Sequence, residues 1–180
     1  MDSPLFDMKR VVITGLGLVT ALGNDVTTCW ANLIAGKSGA GAITHFDSSK
    51  FKTQFACEVK DLDISNLFDP KELRRYDRYI HLAVKSAEEA INNAGLHITQ
   101  ENPLRCGVIY GSGMGGVKTL DTNIGEFGAG DGIPRYSPFF IPMIITNMAA
   151  GMLAIRYGFK GVNYATTSAC SSSSHAIANA

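Results

Sequence analysis

The chain has 180 residues, 46% of them hydrophobic and 18% charged, which is typical of a globular domain and not of a disordered segment. Lysine and arginine total 16, as do aspartate and glutamate, so the overall charge predicts no bulk attraction to nucleic acid or anionic membranes. No apolar stretch reaches the length of a membrane span, and Met1–Met8 fits neither a secretory signal nor a transit peptide. We therefore expect a cytoplasmic protein.

The first predicted elements are a strand, a turn and a helix. Arg10–Thr14 is rich in β-branched residues and predicts a strand, and Gly15–Gly17 predicts a tight turn before a helix at Asp25–Ala35. The two glycines lack the third glycine and the acidic residue of a dinucleotide-binding motif, so a plain turn is favoured. An irregular segment and a second short strand should follow, at Gly36–Phe46 and Phe55–Val59.

A long helix is the clearest element of the chain. Asp69 is in the position of an N-cap, Pro70 is in the first helical position, and apolar residues recur with helical spacing as far as Gly95. The same helix has a basic face, which predicts either a solvated surface or a dock for an acidic partner. Four cations form this face: Lys71, Arg74, Arg75 and Arg78.

A third strand should lead into a glycine-rich turn. Cys106–Tyr110 predicts the strand, and Gly111–Gly116 follows it. The glycines resemble a phosphate-binding loop, but Val117 stands where that loop needs lysine, so close approach of another backbone is favoured. Gly125–Pro142 is rich in Gly and Pro, and it predicts a long loop with a function.

The last part of the chain predicts a helix, a strand and the start of another helix. Thr146–Tyr157 is the predicted helix, in which Ala149–Gly151 should allow close packing, and Val162–Thr167 is the strand. Alternation of strands and helices predicts an α/β fold with a largely parallel sheet. The final helix begins at His175 and has no C-cap glycine, so we expect a chain that is cut just after this point.

Four cysteines are widely spaced, with no C-x-x-C pair and no zinc-binding spacing, so neither disulfides nor a metal site is expected. Cys29, Cys57 and Cys106 are predicted to be buried, inert thiols. Cys170 differs because it lies between a strand and a helix, where the first N–H groups of the helix stabilise a thiolate. They can also bind the oxyanion of an attacked thioester. The alternative is a small thiol packed at a crowded junction.

No histidine can be assigned to Cys170 as a base from the sequence. His175 lies five residues further on in the same predicted helix and is expected to point away from the sulfur. The remaining three are interpreted as surface or hydrogen-bonded histidines: His45, His81 and His97.

Together these segments resemble the β-ketoacyl-acyl-carrier-protein synthases, and within them the elongating enzymes of type II fatty-acid synthesis. The resemblance extends from Met8 to the last residue. It is carried by five motifs in order: Val11–Gly17, Gly111–Gly116, Ser137–Pro142, Asn147–Gly151 and Thr167–Ser171.

The resemblance implies a thiolase-like α/β fold with a mixed, mostly parallel sheet and two similar halves. Residues 1–180 would be the N-terminal part, with the C-terminal half absent. It implies that Cys170 takes an acyl group from acyl-carrier protein and that malonyl-carrier protein then loses carbon dioxide and attacks the acyl-cysteine. No cofactor and no metal are implied, and the complete enzyme would be a homodimer.

The resemblance also implies roles for five further residues. Met114 and Phe140 would line the acyl tunnel, and Lys71, Arg74 and Arg75 would contact the acidic carrier protein. The second oxyanion donor, the catalytic histidines, a lysine and a gating phenylalanine would lie in the missing half, so this chain alone would be inactive. One departure is the unbroken run Ser171–Ser174, where the family commonly has a glycine; we expect altered hydrogen bonding there without loss of activity.

Two alternatives stay open. A ketosynthase domain of a polyketide assembly would share the cysteine and the fold. An inert fragment or a non-catalytic partner subunit is the other, although the loss of the nucleophile expected of such a subunit is not seen, because Cys170 is present.

Overall fold

A computed structural model describes residues 10–180, so the Met1–Met8 segment, in which we expected no targeting signal, lies outside the described residues. The described helices are α1 Val26–Ile34, α2 Pro70–Leu73, α3 Arg78–Asn93, α4 Val117–Ala129, α5 Phe140–Ile144, α6 Met148–Tyr157 and α7 Ser172–Asn179. The described strands are β1 Gly41–Ala42, β2 Phe55–Ala56, β3 Val108–Gly111 and β4 Asn163–Thr166. Short 3₁₀ turns lie at Ile98–Gln100, Pro103–Arg105 and Ala169–Ser171.

The predicted parallel pairing is confirmed for β3 and β4, which lie side by side from Val108 opposite Asn163 to Gly111 opposite Thr166. Parallel strands need a crossover connection, and α4, α5 and α6 provide it. Helix α6 packs on both strands, and α7 packs mainly on β3. β1 and β2 form a separate antiparallel pair. No helix within residues 10–180 has the length and apolarity that crossing a membrane requires.

The strand predicted at Arg10–Thr14 is wrong, because residues 10–19 form no regular secondary structure. The segment instead lies along α3, where the Leu16 and Leu18 N–H groups donate to Asn93 and Glu89. Val11 and Ile13 are 85% and 81% exposed, and no described strand pairs with them. The tight turn at Gly15–Gly17 is also wrong. A Cβ atom at Gly17 would overlap the carbonyl oxygen of Ser86, so the glycines serve close approach to α3.

The long helix predicted from Asp69 to Ala94 is divided into α2 and α3. Its predicted start is confirmed: Asp69 caps α2 and forms a capping box with Glu72. The division follows from Asp77, whose side chain accepts the N–H of Tyr79 as a second N-cap. A capping aspartate offers the backbone an alternative to the continuous helical ladder, and the sequence pattern did not show this.

The predicted loop Gly125–Pro142 is irregular only from Gly130 to Phe139, because α4 includes Gly125 and Gly128 and α5 begins at Phe140. A glycine in a helix interior costs about 1 kcal/mol relative to alanine, and this did not stop α4. The helix is held at its start, where the Thr119 N–H donates to Asp77 at 3.0 Å.

The core lies between α3 and α6 and under the loop before α2. Ile80 of α3 is fully buried, as the apolar face predicted, and Val84 of α3 and Ala149 of α6 are fully buried as well. The packing role of Gly151 is wrong, because a Cβ atom there would have no neighbour within 4 Å. The other buried residues of this cluster are Leu67, Phe68, Ala83, Met152 and Leu153.

Candidate active site

Cys170 lies in the 3₁₀ turn Ala169–Ser171, between the end of β4 and the start of α7. Its side chain is exposed. The helix that follows was predicted to begin near His175 but begins at Ser172. The predicted strand-to-helix position of the cysteine is therefore confirmed, with α7 starting two residues after the sulfur.

The other three cysteines differ in exposure. Cys29 is buried as predicted, and its thiol donates to the Gly23 carbonyl at 3.1 Å. Cys106 is half-buried, and the prediction that Cys57 is buried is wrong, because Cys57 is exposed. Its strand β2 covers only Phe55–Ala56, so Cys57 follows the strand instead of packing within it. Exposure alone therefore does not distinguish Cys170 from Cys57.

The backbone before Cys170 is strained. Ala169 has a φ of +51°, in the left-handed region that residues with a Cβ atom seldom adopt. Such a conformation costs on the order of 1–3 kcal/mol and persists only where neighbouring contacts hold it. Nothing in the sequence indicates it, because alanine carries no signal for this conformation.

Ser172 supplies contacts on this turn. Its hydroxyl accepts the Ser168 N–H at 2.9 Å and donates to the Ala169 carbonyl at 2.7 Å. The Ser172 carbonyl in turn accepts the Thr166 hydroxyl at 2.7 Å. Ser172 is 3% exposed, so these bonds are shielded from water. The serine run noted in the sequence thus contains one buried residue whose hydroxyl bridges the turn.

His175 contacts the same turn but not through the sulfur. Its Nδ1 atom lies 2.6 Å from the Ser168 hydroxyl, and within the described residues no hydrogen bond joins it to Cys170. His81 is different again. It is half-buried on α3 with its ring 4.9 Å from the ring of Phe68, and burial lowers its pKa. Neither histidine is brought to the cysteine as a hydrogen-bonded base.

The glycine-rich segment after β3 lies against the cysteine turn. A Cβ atom at Gly111 would be 2.5 Å from the Ser173 nitrogen, and one at Gly113 would be 3.6 Å from the Ala169 carbonyl oxygen. At the other end, Gly115 has a φ of +68°, and side chains at Gly115 or Gly116 would overlap the carbonyls that end α5. Close approach of backbone explains Gly111, Gly115 and Gly116, as the favoured interpretation predicted, whereas a Cβ atom at Gly113 would make only an ordinary van der Waals contact.

The two expected tunnel residues lie on neighbouring segments. Met114 belongs to the glycine-rich segment and is 73% exposed. Phe140 is the first residue of α5, is half-buried, and has its ring stacked on Tyr136 with the centroids 5.0 Å apart. The Gly116 N–H donates to the Ile144 carbonyl at 3.2 Å, which joins the two segments.

The expected docking cations lie on and just after α2. Lys71, Arg74 and Arg75 are all exposed, and no carboxylate in the described part of the chain forms a salt bridge with them. The fourth cation of the predicted basic face, Arg78, is separate, because it lies on α3 and donates to the Val59 carbonyl at 2.9 Å. The Arg75 guanidinium carbon lies 4.9 Å from the ring centroid of Phe139, a contact that the sequence did not reveal.

Comparison with known proteins confirms the family that the sequence motifs resemble. The sequence model of the protein family described as β-ketoacyl synthase, N-terminal domain, matches residues 8–180 of this chain. The chain is 44% identical over 174 residues to the 3-oxoacyl-[acyl-carrier-protein] synthase 2 of Coxiella burnetii, and equally to that of Synechocystis sp.. This chain therefore belongs to the β-ketoacyl synthase family.

A solved structure supports the fold. A type II polyketide ketosynthase, solved with its acyl-carrier protein and bound to a hexaketide, superposes with a TM-score of 0.77 at 22% identity. The match covers 96% of this chain and 46% of that one. The fold is thus the N-terminal part of a thiolase-like ketosynthase. The alignments cover 97% of this chain but only 42% of the length of each of the two curated relatives.

Proposed function

We propose that this chain carries the nucleophile of an elongating 3-oxoacyl-acyl-carrier-protein synthase, and that the nucleophile is Cys170. One observation carries the proposal: in a chain of the β-ketoacyl synthase family, an exposed cysteine lies on a strained turn immediately before a helix. A strained turn held by buried hydrogen bonds fixes the direction of the side chain next to it. The names of the two curated relatives support fatty-acid elongation as the activity.

The proposed reaction has two steps. The Cys170 thiolate attacks the carbonyl carbon of an acyl-carrier-protein thioester, a new C–S bond to Cys170 forms, the C–S bond to the carrier breaks, and the carrier leaves as its thiolate. Malonyl-carrier protein then loses carbon dioxide, and the resulting carbanion attacks the acyl-cysteine carbonyl. The C–S bond to Cys170 breaks, which releases 3-oxoacyl-carrier protein and returns the thiolate. We propose that the groups that move protons and hold the second oxyanion belong to the part of the fold that this chain does not cover.

Acylation of the full-length protein tests the assignment. Incubation with a radiolabelled acyl-carrier thioester, followed by mass spectrometry of the peptides, should place the acyl group on Cys170. Cys170→Ala should reduce incorporation by at least about 100-fold. Cys57→Ala is the matched control, because Cys57 is the other exposed thiol, and it should leave incorporation unchanged. Acylation at Cys57 or Cys106 with Cys170 untouched would contradict the proposal.

We also propose that Lys71, Arg74 and Arg75 bind acyl-carrier protein, an acidic partner. The support is their exposure, their common location at α2 and the absence of a described carboxylate partner. Phe139, which contacts Arg75, directly precedes Phe140, for which we propose a place in the acyl tunnel together with Met114. Carrier binding and acyl entry would then occur on adjoining elements.

Charge reversal tests the docking surface. Arg74→Glu with Arg75→Glu should raise the Kd for carrier protein about 10-fold or more at low ionic strength. The difference should shrink at high salt, because the Debye length beyond which exposed charges are screened falls from about 30 Å at 0.01 M to about 3 Å at 1 M ionic strength. Lys50→Glu with Lys52→Glu makes the same change in net charge at another exposed place and should have little effect. Equal effects of the two pairs, or an unchanged Kd at low salt, would remove the docking claim.

A polyketide ketosynthase is the second candidate function, and it is favoured by the superposition on such an enzyme. It would use Cys170 in the same way but would accept other acyl chains, so turnover of fatty acyl-carrier substrates separates the two. The proposal has three further parts. Residues 1–180 are the N-terminal part of one condensing domain. The complete protein is a homodimer and is located in the cytoplasm.

A further inference from the structure

We infer that Ser172 is a positioning residue for the acylation of Cys170: its buried hydroxyl holds the left-handed Ala169 and thereby the direction of the nucleophile. The inference rests on the proposed function, because it assumes that Cys170 is the residue acylated. Within residues 10–180, the hydrogen bonds of Ser172 go to the turn before Cys170 and to Thr166, and none goes to the sulfur.

The hydrogen-bond geometry is the first observation. One hydroxyl bridges the turn by accepting the Ser168 N–H at 2.9 Å and donating to the Ala169 carbonyl at 2.7 Å. These partners lie two residues and one residue before Cys170. A hydroxyl has one proton, so its only donated bond fixes the carbonyl of the strained residue.

The strain is the second observation. Ala169, with a φ of +51°, is directly bonded to Cys170 through its carbonyl carbon. Relaxation of Ala169 to negative φ would rotate the peptide between the two residues and redirect the cysteine side chain. The buried position of Ser172, at 3% exposure, means that water cannot replace its hydrogen bonds without a local opening.

The serine run provides the contrast. Ser171, Ser173 and Ser174 are exposed, and within residues 10–180 their hydroxyls form no hydrogen bond. Of the four hydroxyls, only that of Ser172 is engaged with the turn. A mutation at Ser174 therefore controls for removal of a hydroxyl from the same helix.

The experiment measures the first half-reaction in the full-length protein. Ser172→Ala should lower the rate constant for acylation of Cys170 by an acyl-carrier thioester about 10- to 100-fold, with KM little changed. Alkylation of Cys170 by iodoacetamide, which needs only an accessible thiolate, should change less than about 3-fold, which is about half of a tenfold effect on a logarithmic scale. Ser174→Ala should leave both rates unchanged.

A double-mutant cycle separates positioning from a general structural role. Glycine adopts the left-handed region with little strain, so in the Ala169→Gly background the hydroxyl has less to hold. In the Ala169→Gly background, Ser172→Ala should lower the rate constant for acylation of Cys170 by less than about 3-fold. A loss of the same size in both backgrounds, or a Ser172→Ala variant that acylates like Ser174→Ala, would overturn the inference.

Two further outcomes are also decisive. If Ser172→Ala does not fold, folding of the double variant with Ala169→Gly supports the inference, and failure of both variants to fold overturns it. If the unmodified protein is not acylated at Cys170, the proposed function fails instead. If Cys170 is acylated at the same rate in the wild-type protein and in the Ser172→Ala variant, the inference fails and the proposed function stands.

Discussion

Gly111→Ala is expected to lower the free energy of unfolding by about 3 kcal/mol and to impair acylation of Cys170. The added Cβ atom would lie 2.5 Å from the Ser173 nitrogen and 2.6 Å from the Ser172 carbonyl carbon. Both are backbone atoms, so the clash is relieved only if the start of α7 moves away from β3. That movement would displace the turn that carries Cys170. Thermal or guanidinium unfolding of the full-length protein measures the stability, and the acylation assay measures the displacement.

Gly151→Ala is the matched control for this prediction. Gly151 lies inside α6, and a Cβ atom there would have no neighbour within 4 Å. Alanine lowers the conformational entropy of the unfolded chain and favours the helix, so stability should rise by about 0.5–1 kcal/mol. The same substitution should thus have opposite signs at the two positions. Equal changes in stability would show that the close approach at Gly111 is not maintained in solution.

Asp77→Ala is expected to lower the free energy of unfolding by about 3 kcal/mol, because it leaves three donors without their acceptor. The Asp77 carboxylate accepts the Tyr79 N–H at 3.1 Å and both the N–H and the hydroxyl of Thr119, at 3.0 and 2.6 Å. Asp77 and Thr119 are buried, at 6% and 8% exposure, so water does not replace these bonds. One side chain thus caps α3 and holds the first turn of α4.

Asp69→Ala is the control for Asp77→Ala. Asp69 is also an N-cap aspartate, and it accepts the N–H groups of Lys71 and Glu72 at 2.7 and 2.8 Å. It is exposed, however, so water can take its place and the loss should be about 1 kcal/mol. Denaturant unfolding of the two variants compares them directly. Equal losses would contradict the claim that burial of Asp77, and not capping alone, provides the larger stabilisation.

Several elements could be predicted because their signals are local. Asp69 and Pro70 begin α2, and Gly95, with a φ of +61°, follows the end of α3. The order of the β3 and β4 strands with helices between them was enough for an α/β fold with parallel pairing. These predictions depend on residues within a few positions of each other, where spacing in the sequence determines proximity in space.

Contacts between distant residues were not predictable in this way. Asp77 divides the long predicted helix and also binds Thr119 in the first turn of α4, although the two residues are 42 positions apart. Leu18 donates its N–H to Glu89 at 2.9 Å across 71 residues, so the segment predicted as strand and turn lies along α3. The exposure of Cys57 and the open space at Gly151 likewise depend on which surfaces pack together.

The sequence by itself determined the family, the α/β alternation and the position of Cys170 between a strand and a helix, because ordered motifs and local spacing carry that information. Only the tertiary structure revealed how Cys170 is held. The left-handed Ala169 has no signal in its residue type, and the four serines of Ser171–Ser174 look alike in the sequence. Burial distinguishes Ser172 from its neighbours, and burial arises only when α7 packs on β3 at Gly111.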